Sequence, residues 1–145
     1  MSYSISIKRY VDFFETDMAG IVHFSNYFRW MESAETELFR QLQIPIAKRE
    51  DSIISGWPKV ETNCTFIAPL RFQDQVEIVL TIKEIKNHSL CYNFHFYKIE
   101  NEKKTEAAKG SMTTVFAKFN LLENTISASL LEEELKNKIS TETNQ

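Results

Sequence analysis

The stretch ETDMAGIVHFSNYFRW, residues 15–30, is where the sequence changes from strand-like to helix-like spacing. Before it, apolar and polar residues alternate over residues 3–13, and this period of two predicts a strand with one buried face. Within and after it, apolar residues recur at steps of three and four, which predicts one long helix over residues 26–42. Ser25 or Asn26 is placed to cap the first turn of that helix. The stretch therefore joins a first strand to the helix that follows it.

The rest of the chain alternates again, in four segments that are joined by short connections. These segments predict four more strands, around residues 60–66, 76–82, 92–96 and 112–119. Consecutive strands with short connections form an antiparallel sheet, so we predict an α+β fold with the long helix packed on one face of the sheet. Ser129 and Glu132 have the spacing of a capping box and predict a short helix over residues 129–139. We expect a main domain over residues 1–128, followed by this helix and a polar tail over residues 129–145.

The composition is that of an ordinary globular protein and argues against several classes of partner. The chain has 145 residues, of which 43% are hydrophobic and 26% are charged, and its net charge is −3. Because it has no basic patch, we expect no nucleic-acid partner. No leader of basic and apolar residues opens the chain and no apolar run approaches the ~18 residues of a membrane span, so we expect a cytoplasmic protein without a membrane partner. Cys64 and Cys91 lie in strand-like segments, where we expect buried free thiols, with a disulfide or a nucleophilic thiol as the alternatives.

Three stretches resemble, in the correct order, those of one enzyme family. They are DFFETDMAGIVHFSNYFRWME at residues 12–32, FIAPLRFQDQVEI at residues 66–78 and AAKGSMTTVFAKF at residues 107–119. The spacing of Asp17, Gly20, Asn26 and Tyr27 resembles the signature of the hotdog-fold thioesterases, in the 4-hydroxybenzoyl-CoA thioesterase family. The resemblance covers residues 6–119. It implies the hotdog fold, an antiparallel five-stranded sheet wrapped around one long central helix.

The same resemblance implies an activity and a set of partners. It predicts a thioester hydrolase that acts on acyl-CoA, or on acyl groups held by acyl carrier protein, without a metal or redox cofactor. It also predicts a homodimer or homotetramer in which two sheets join edge to edge and each site takes residues from both protomers. Pairing an exposed sheet edge removes a site of aggregation, which makes this assembly physically reasonable.

The chemistry of thioester hydrolysis can be compared with the opening stretch. The reaction requires a group that attacks the carbonyl carbon or activates water, and donors that stabilise the developing oxyanion. A helix N-terminus supplies free N–H groups and partial positive charge. The resemblance assigns the attacking or base role to Asp17 and the oxyanion contact to a backbone N–H near Phe24, while Gly20 lets the backbone turn and a ligand approach closely. The alternative role for Asp17 is that of a turn residue that accepts hydrogen bonds from backbone amides.

Further residues are candidates for binding the acyl part of a substrate. Tyr27 belongs to the matched signature. His23 lies within it and is predicted to tune Asp17, to contact the acyl group or simply to pack. Trp30 and Trp57 are candidates to line an acyl pocket, although most aromatic residues in such a chain belong to the core.

The phosphates of coenzyme A require basic side chains near the mouth of the site. The turn KEIKNHS, residues 83–89, resembles the family segment that meets the nucleotide. Lys86 and His88 are therefore candidates for phosphate contacts, with Arg71 behind them. A solvated basic face explains each of these residues equally well.

Three glutamates near the signature receive weaker interpretations. Glu15 stands where relatives often carry a second aspartate, so we expect a carboxylate that supports Asp17. Another branch of the hotdog enzymes places its catalytic carboxylate on the central helix, where this chain has Glu32 and Glu35. Because Asp17 is present, we interpret both as supporting or surface residues.

Two other functions stay open at this point. A hotdog dehydratase or another lyase acting on thioesters would need a histidine and an acid placed for proton abstraction, and His23 is the nearby histidine. A non-catalytic module that binds acyl-CoA is the second alternative, against which Asp17 and Gly20 argue. The sequence leaves open which acyl group is bound, aromatic or aliphatic, and whether Asp17 acts as a nucleophile or as a general base.

Overall fold

The computed structural model describes residues 3–143 and consists of a curved antiparallel sheet around one long helix. The elements in chain order are β1 (Ser4–Tyr10), a 3-10 turn (Phe13–Glu15), α1 (Ser25–Leu42), β2 (Lys48–Glu50), β3 (Ile53–Gly56), β4 (Lys59–Phe66), β5 (Gln75–Ile85), β6 (Ser89–Glu100), β7 (Lys103–Val115), β8 (Ala117–Asn120), β9 (Thr125–Ala128) and α2 (Glu133–Thr143). The large sheet has the strand order β1-β5-β6-β7-β4, and all its pairs are antiparallel. This confirms the predicted α+β fold, with five strands around a central helix.

The core lies between α1 and the concave face of the large sheet. Met31, Ala34 and Leu38 on α1 are fully buried, and so are Leu80 and Phe94 on the facing strands. Burying one large apolar side chain contributes roughly 1.5–3 kcal/mol, so the apolar stripe of α1 fixes the helix against the sheet. The period of three and four residues therefore exists because one face of the helix is the centre of the core.

The N-terminus of α1 differs from the prediction, because neither Ser25 nor Asn26 caps it. The capping position is Phe24, whose backbone is already helical (φ −54°, ψ −30°) and whose side chain makes no capping bond. The Ser25 hydroxyl instead pairs with Nδ1 of His23 at 2.8 Å. Asn26 Nδ2 donates to the carbonyl oxygen of Glu15 at 2.8 Å, so this side chain ties the helix to the preceding loop. The His23 side chain takes the place of the predicted cap, because its Nδ1 accepts a hydrogen bond from the Ser25 N–H at 3.3 Å.

A second, smaller sheet was not predicted. It has the order β2-β3-β8-β9, and its strands are only three or four residues long. The predicted fifth strand over residues 112–119 is divided between β7 and β8, because Phe116 leaves the ladder and packs against Trp57, with ring centroids 5.1 Å apart. Strands this short contain too few alternations to be recognised from spacing.

Strand β4 is the edge of the large sheet and pairs only with β7. The alternation of Val60, Cys64 and Phe66 correctly predicted a strand, but Val60 is 63% exposed and Phe66 is 50% exposed. Within residues 3–143, no strand pairs with the outer side of β4. Its apolar residues therefore form part of the surface of the single protomer.

The C-terminal helix begins later than predicted, at Glu133 rather than at Ser129. The Ser129 N–H donates to the carbonyl oxygen of Phe116, which keeps this residue in an extended segment. Lys138 Nζ donates to the carbonyl oxygen of Leu42 at 2.7 Å and so caps the C-terminal end of α1. The outer ends of the predicted domain and tail, residues 1–2 and 144–145, lie outside the described residues.

Within residues 3–143, neither helix combines the length and the apolar composition that a bilayer crossing requires.

Candidate active site

The loop that carries Asp17 is a small hairpin at the entrance to α1. The Asp17 N–H donates to the carbonyl oxygen of Ile21, and the His23 N–H donates to that of Glu15, both at 2.9 Å. Gly20 lies near the tip with φ +78°, a left-handed backbone conformation that side chains resist. The predicted need for glycine at this position therefore has a conformational cause.

The Asp17 carboxylate organises this loop with one oxygen only. Its Oδ1 accepts hydrogen bonds from the N–H groups of Ala19 at 2.8 Å and Ile21 at 3.4 Å. Oδ2 accepts no hydrogen bond from any residue between 3 and 143. The turn role and a chemical role are thus compatible, because the first uses Oδ1 and leaves Oδ2 free.

Asp17 lines an open cleft of about 680 Å³ between the loop, the start of α1 and the segment that follows β4. The Val22 N–H donates to the carbonyl oxygen of Leu70 at 2.8 Å and holds the loop against that segment. The cleft brings together Asp17 with the predicted Phe24, Tyr27 and Arg71. It is also lined by Phe66, Ile67, Ala68, Pro69 and Leu70. Residues 66–70 were not predicted as site residues, although they belong to the matched stretch at residues 66–78.

The backbone N–H of Phe24, at the entrance to α1, has no acceptor in the part of the chain that the structure describes. Every N–H from Ala19 to Tyr27 has an acceptor within the described residues, apart from that of Phe24. The neighbouring N–H groups of His23 and Ser25 donate to Glu15 O and to His23 Nδ1. The Phe24 N–H therefore combines an unused donor with the positive end of the helix dipole.

The remaining predicted substrate-binding residues lie outside this cleft in the single chain. His23 is exposed, and its ring stacks on Phe24 with centroids 4.5 Å apart. Trp57 packs between Phe39 and Phe116, at the opposite end of α1. Lys86 and His88 lie on the turn between β5 and β6. This turn is at the opposite end of β5 from Gln75, which pairs with Tyr10 just before the Asp17 loop.

Glu15 supports the loop from the inside rather than from the cleft. It is 4% exposed, and its Oε1 accepts hydrogen bonds from Arg9 Nη2 and the Asp12 N–H, both at 2.8 Å. Its Oε2 accepts from Nε1 of Trp30 at 2.8 Å. Trp30, expected as a wall of the acyl pocket, is itself buried in the core. The carboxylate expected to assist Asp17 is therefore fully used in structural bonds.

Glu35 forms a separate buried polar cluster. Its Oε1 pairs with Lys59 Nζ at 2.5 Å, and the same ammonium group donates to the carbonyl oxygen of Trp57 at 2.8 Å. Burial, together with the negative charge of Glu35, raises the pKa of the Tyr92 hydroxyl well above its ordinary value. Glu35 lines a second cleft of about 490 Å³, which also contains Glu32 and Trp57 and does not include Asp17. The interpretation as a surface residue is wrong for Glu35, whereas Glu32 is exposed.

The two cysteines are free thiols, as predicted, and are half-buried rather than buried. Burial raises the pKa of the Cys64 thiol to about 11, so this group is protonated at neutral pH and is a poor nucleophile. Burial and the nearby Cys64 raise the pKa of Tyr27 to about 12, so its hydroxyl remains protonated. Among residues 3–143, no three His, Cys, Asp or Glu side chains are grouped to hold a metal ion.

The conformation of Gly20 leads to a first test of this loop. We expect Gly20→Val to lower kcat/KM by ~10- to 100-fold, because a β-branched residue resists positive φ and the resulting shift would displace Asp17. A Cβ at Gly20 would come no closer than 3.9 Å to Arg71 Nη1, so crowding is not the cause. Gly20→Asn is the matched control, since asparagine adopts positive φ readily, and it should keep most of the activity. Equal kinetics of the valine and asparagine variants would contradict this explanation.

Comparison with known proteins gives consistent matches. The family model of the thioesterase superfamily matches residues 19–105. The 4-hydroxybenzoyl-CoA thioesterase of Pseudomonas sp. (strain CBS-3) is 32% identical over 91 residues, which are 61% of this chain and 64% of that enzyme, less than two thirds of its length. A 1,4-dihydroxy-2-naphthoyl-CoA hydrolase of Prochlorococcus marinus subsp. pastoris (strain CCMP1986 / NIES-2087 / MED4) is 31% identical over 101 residues, 65% of this chain and 66% of that protein. A solved structure of a 4-hydroxybenzoyl-CoA thioesterase mutant complexed with 4-hydroxybenzoyl-CoA has a TM-score of 0.82 at 22% identity, covers 94% of this chain and 98% of that chain, and shows the same fold.

Proposed function

Because this chain belongs to the thioesterase superfamily, we propose that it hydrolyses an acyl-CoA thioester to a free acid and coenzyme A in the Asp17 cleft. Membership of the family confirms the hotdog fold and the class of thioester hydrolase that the sequence predicted. One observation carries the assignment of the site. Among residues 3–143, neither Asp17 Oδ2 nor the Phe24 N–H has a hydrogen-bond partner, and both residues line the same cleft.

The proposed chemistry uses these two groups in complementary roles. The thioester carbonyl oxygen would accept a hydrogen bond from the Phe24 N–H, which stabilises the negative charge that develops as the carbonyl carbon is attacked. Asp17 Oδ2 either attacks that carbon, forming a mixed anhydride that water then hydrolyses, or takes a proton from a water molecule that attacks. Both routes break the C–S bond, and the released thiolate is protonated to give the CoA thiol.

Arg71 is the basic residue that the structure places beside Asp17 in this cleft, and we propose that it contacts a phosphate or the pantetheine part of coenzyme A. Its side chain is exposed, and its backbone is fixed by the bond from the Arg71 N–H to Asp74 Oδ2 at 2.8 Å. Acyl-CoA is the proposed substrate class because both named relatives act on aryl-CoA thioesters. Acyl carrier protein thioesters are the alternative that the substrate survey below includes.

Release of free thiol from a panel of thioesters tests this function. The panel should contain hydroxyaryl-CoA, benzoyl-CoA, short aliphatic acyl-CoA and acyl carrier protein thioesters. We expect thiol release from at least one CoA thioester, with the free acid as the second product. A dehydratase would change the acyl group without releasing thiol, and a binding module would bind the thioesters without converting them. Either result would overturn the proposed function.

We also propose that a second copy of the chain completes the site. Catalysis by an oxyanion donor benefits from exclusion of water, whereas the cleft is open beside the unpaired edge β4. Apolar residues are exposed around this edge, with Phe24, Phe66 and Ile67 all at least half exposed. Antiparallel pairing of β4 with its own copy would place the start of one strand beside the end of the other. The partner's Trp57 would then approach the Asp17 cleft, which gives this predicted acyl-pocket residue a place in the site.

A substitution on the edge strand tests this assembly. We expect Val60→Lys to convert a dimer or tetramer to monomer and to lower turnover at least ~10-fold, because a charge on an edge strand opposes pairing. Ile126→Lys on β9 is the matched control, since Ile126 is similarly exposed at 57% but lies on the other sheet. It should change neither the mass measured by light scattering nor the activity. A fully active wild-type monomer at assay concentration would refute the proposal.

A further inference from the structure

Glu15 links the Asp17 loop to the rest of the fold through both its side chain and its main chain. The carboxylate accepts three hydrogen bonds, from Arg9, from the Asp12 N–H and from Trp30. The carbonyl oxygen accepts two more, from the His23 N–H at 2.9 Å and from Asn26 Nδ2 at 2.8 Å. One buried residue thereby joins β1, the 3-10 turn, the Asp17 loop and α1.

The two groups proposed to act on the thioester lie on either side of this anchor. Asp17 follows Glu15 by two residues on one arm of the hairpin. On the other arm, Phe24 directly follows His23, whose N–H is held by the Glu15 carbonyl oxygen. A shift of Glu15 relative to α1 would therefore change the separation of the Asp17 arm from the N–H of Phe24.

We propose that Glu15 is the positioning residue of the site, whose buried carboxylate fixes the separation of the Asp17 carboxylate from the Phe24 N–H. This inference rests on the proposed function for its kinetic consequence, but the positioning itself does not depend on any reaction. Misplacement of a reacting group by about 1 Å lowers rates by up to ~10²-fold, so a small shift of the loop is sufficient. Glu15 makes no contact with substrate in this account and acts only through the loop.

The surroundings of the carboxylate explain why even an isosteric substitution of Glu15 should disturb the loop. Oε1 faces two donors, Arg9 Nη2 and the Asp12 N–H, and Oε2 faces a third, the Trp30 N–H. In Glu15→Gln, the amide nitrogen must face a donor in either orientation of the side chain. Arg9, which lies over the Trp30 ring at 5.2 Å, also loses the nearer of its two carboxylate partners and keeps only Asp12, at 3.3 Å. The substitution thus keeps the size of the side chain and removes its bonding pattern.

The chain offers a matched control for this substitution. Glu77 on β5 is also a buried carboxylate, 6% exposed, and pairs with one basic residue, Lys104, at 2.6 Å. Its bond partner lies on β7 of the large sheet and not on the Asp17 loop or on α1. Glu77→Gln therefore removes the charge of a buried carboxylate paired with a basic side chain, here the half-exposed Lys104, without altering the loop.

The experiment measures kinetics and amide hydrogen exchange in Glu15→Gln, Glu77→Gln and the milder Arg9→Lys. We expect Glu15→Gln to lower kcat by ~10- to 100-fold with KM changed by less than about threefold, and Arg9→Lys to give a smaller loss in the same direction. The N–H groups of Asp17 and His23 should exchange at least ~10-fold faster in Glu15→Gln. Glu77→Gln should leave kcat and the exchange of these two groups unchanged.

Three results would overturn the proposal, and they differ from a failure of the proposed function. An unchanged kcat in Glu15→Gln, an equal loss in Glu77→Gln, or unchanged exchange of the Asp17 and His23 N–H groups would each show that Glu15 does not position the site. If the wild type released no thiol from any thioester, the proposed function would fail. The hydrogen-exchange comparison would still decide whether Glu15 holds the loop. If Glu15→Gln did not fold, the same exchange measurement on Arg9→Lys would decide it.

Discussion

Replacing Gly110 by alanine should lower the free energy of unfolding by about 2–3 kcal/mol, because the added methyl group would have no room in the sheet. Gly110 lies on β7, opposite Cys64 on the edge strand β4 and above the central helix. A Cβ at this position would clash with the backbone oxygen of Asn63 and would lie 2.7 Å from Cε of Met31. The Met31 side chain can move, but the neighbouring backbone can do so only by displacing β4.

Gly56 provides a matched control for the substitution of Gly110 by alanine. A Cβ on Gly56 in β3 would meet no atom within 4 Å, so Gly56→Ala should be neutral or stabilise the protein by up to ~1 kcal/mol. Denaturant unfolding of the two variants and the wild type measures the difference. If Gly110→Ala were as stable as Gly56→Ala, the close approach of the β4 backbone to Gly110 would not be required by the fold.

The large sheet and the central helix could be predicted because their spacing is imposed by one continuous core. Val76, Ile78, Leu80 and Ile82 alternate because all of them face α1, and each is at most 5% exposed. The small sheet could not be predicted, since its strands have three or four residues and few buried side chains. Strand β4 was predicted from alternating apolar residues, which usually indicate one buried face. In the single chain these apolar residues lie at the surface.

The candidate site was predictable where it depends on one short stretch and unpredictable where it depends on tertiary contacts. Asp17, Gly20 and Phe24 are close in sequence, so one motif indicated all three. The bonds from Glu15 to Arg9 and Trp30 join residues at separations of six and fifteen, which match no helical or strand neighbour. Nothing in the local pattern signalled that this carboxylate faces inward. Only the folded chain shows that the Glu15 carboxylate bonds to Arg9, the Asp12 N–H and Trp30 and does not line the cleft.

The expected loss of activity is largest for Asp17→Asn, which should lower thioester hydrolysis by roughly 10²–10⁴-fold. The amide is a poor nucleophile and cannot take a proton from water. Its oxygen can still accept the hydrogen bonds that Asp17 Oδ1 receives from Ala19 and Ile21, and its nitrogen would occupy the place of the unpartnered Oδ2. The loop should therefore keep its shape, with stability changed by about 1 kcal/mol or less.

A second loop aspartate provides the control for this substitution. Asp74 Oδ2 accepts a hydrogen bond from the Arg71 N–H, so Asp74 also uses a side-chain oxygen to hold a turn next to the cleft. It does not line the cleft with Asp17. Asp74→Asn should leave turnover at saturating substrate within about threefold of wild type, because it changes a turn residue without removing a reacting group.

The most direct measurement is the turnover of Asp17→Asn with the best CoA thioester of the panel, together with its binding of a non-hydrolysable analogue and its thermal unfolding. The account predicts turnover reduced by roughly 10²–10⁴-fold, with affinity for the analogue and unfolding temperature close to those of wild type. Hydrolysis within a few-fold of wild type would contradict it and would leave Asp17 as a turn residue alone.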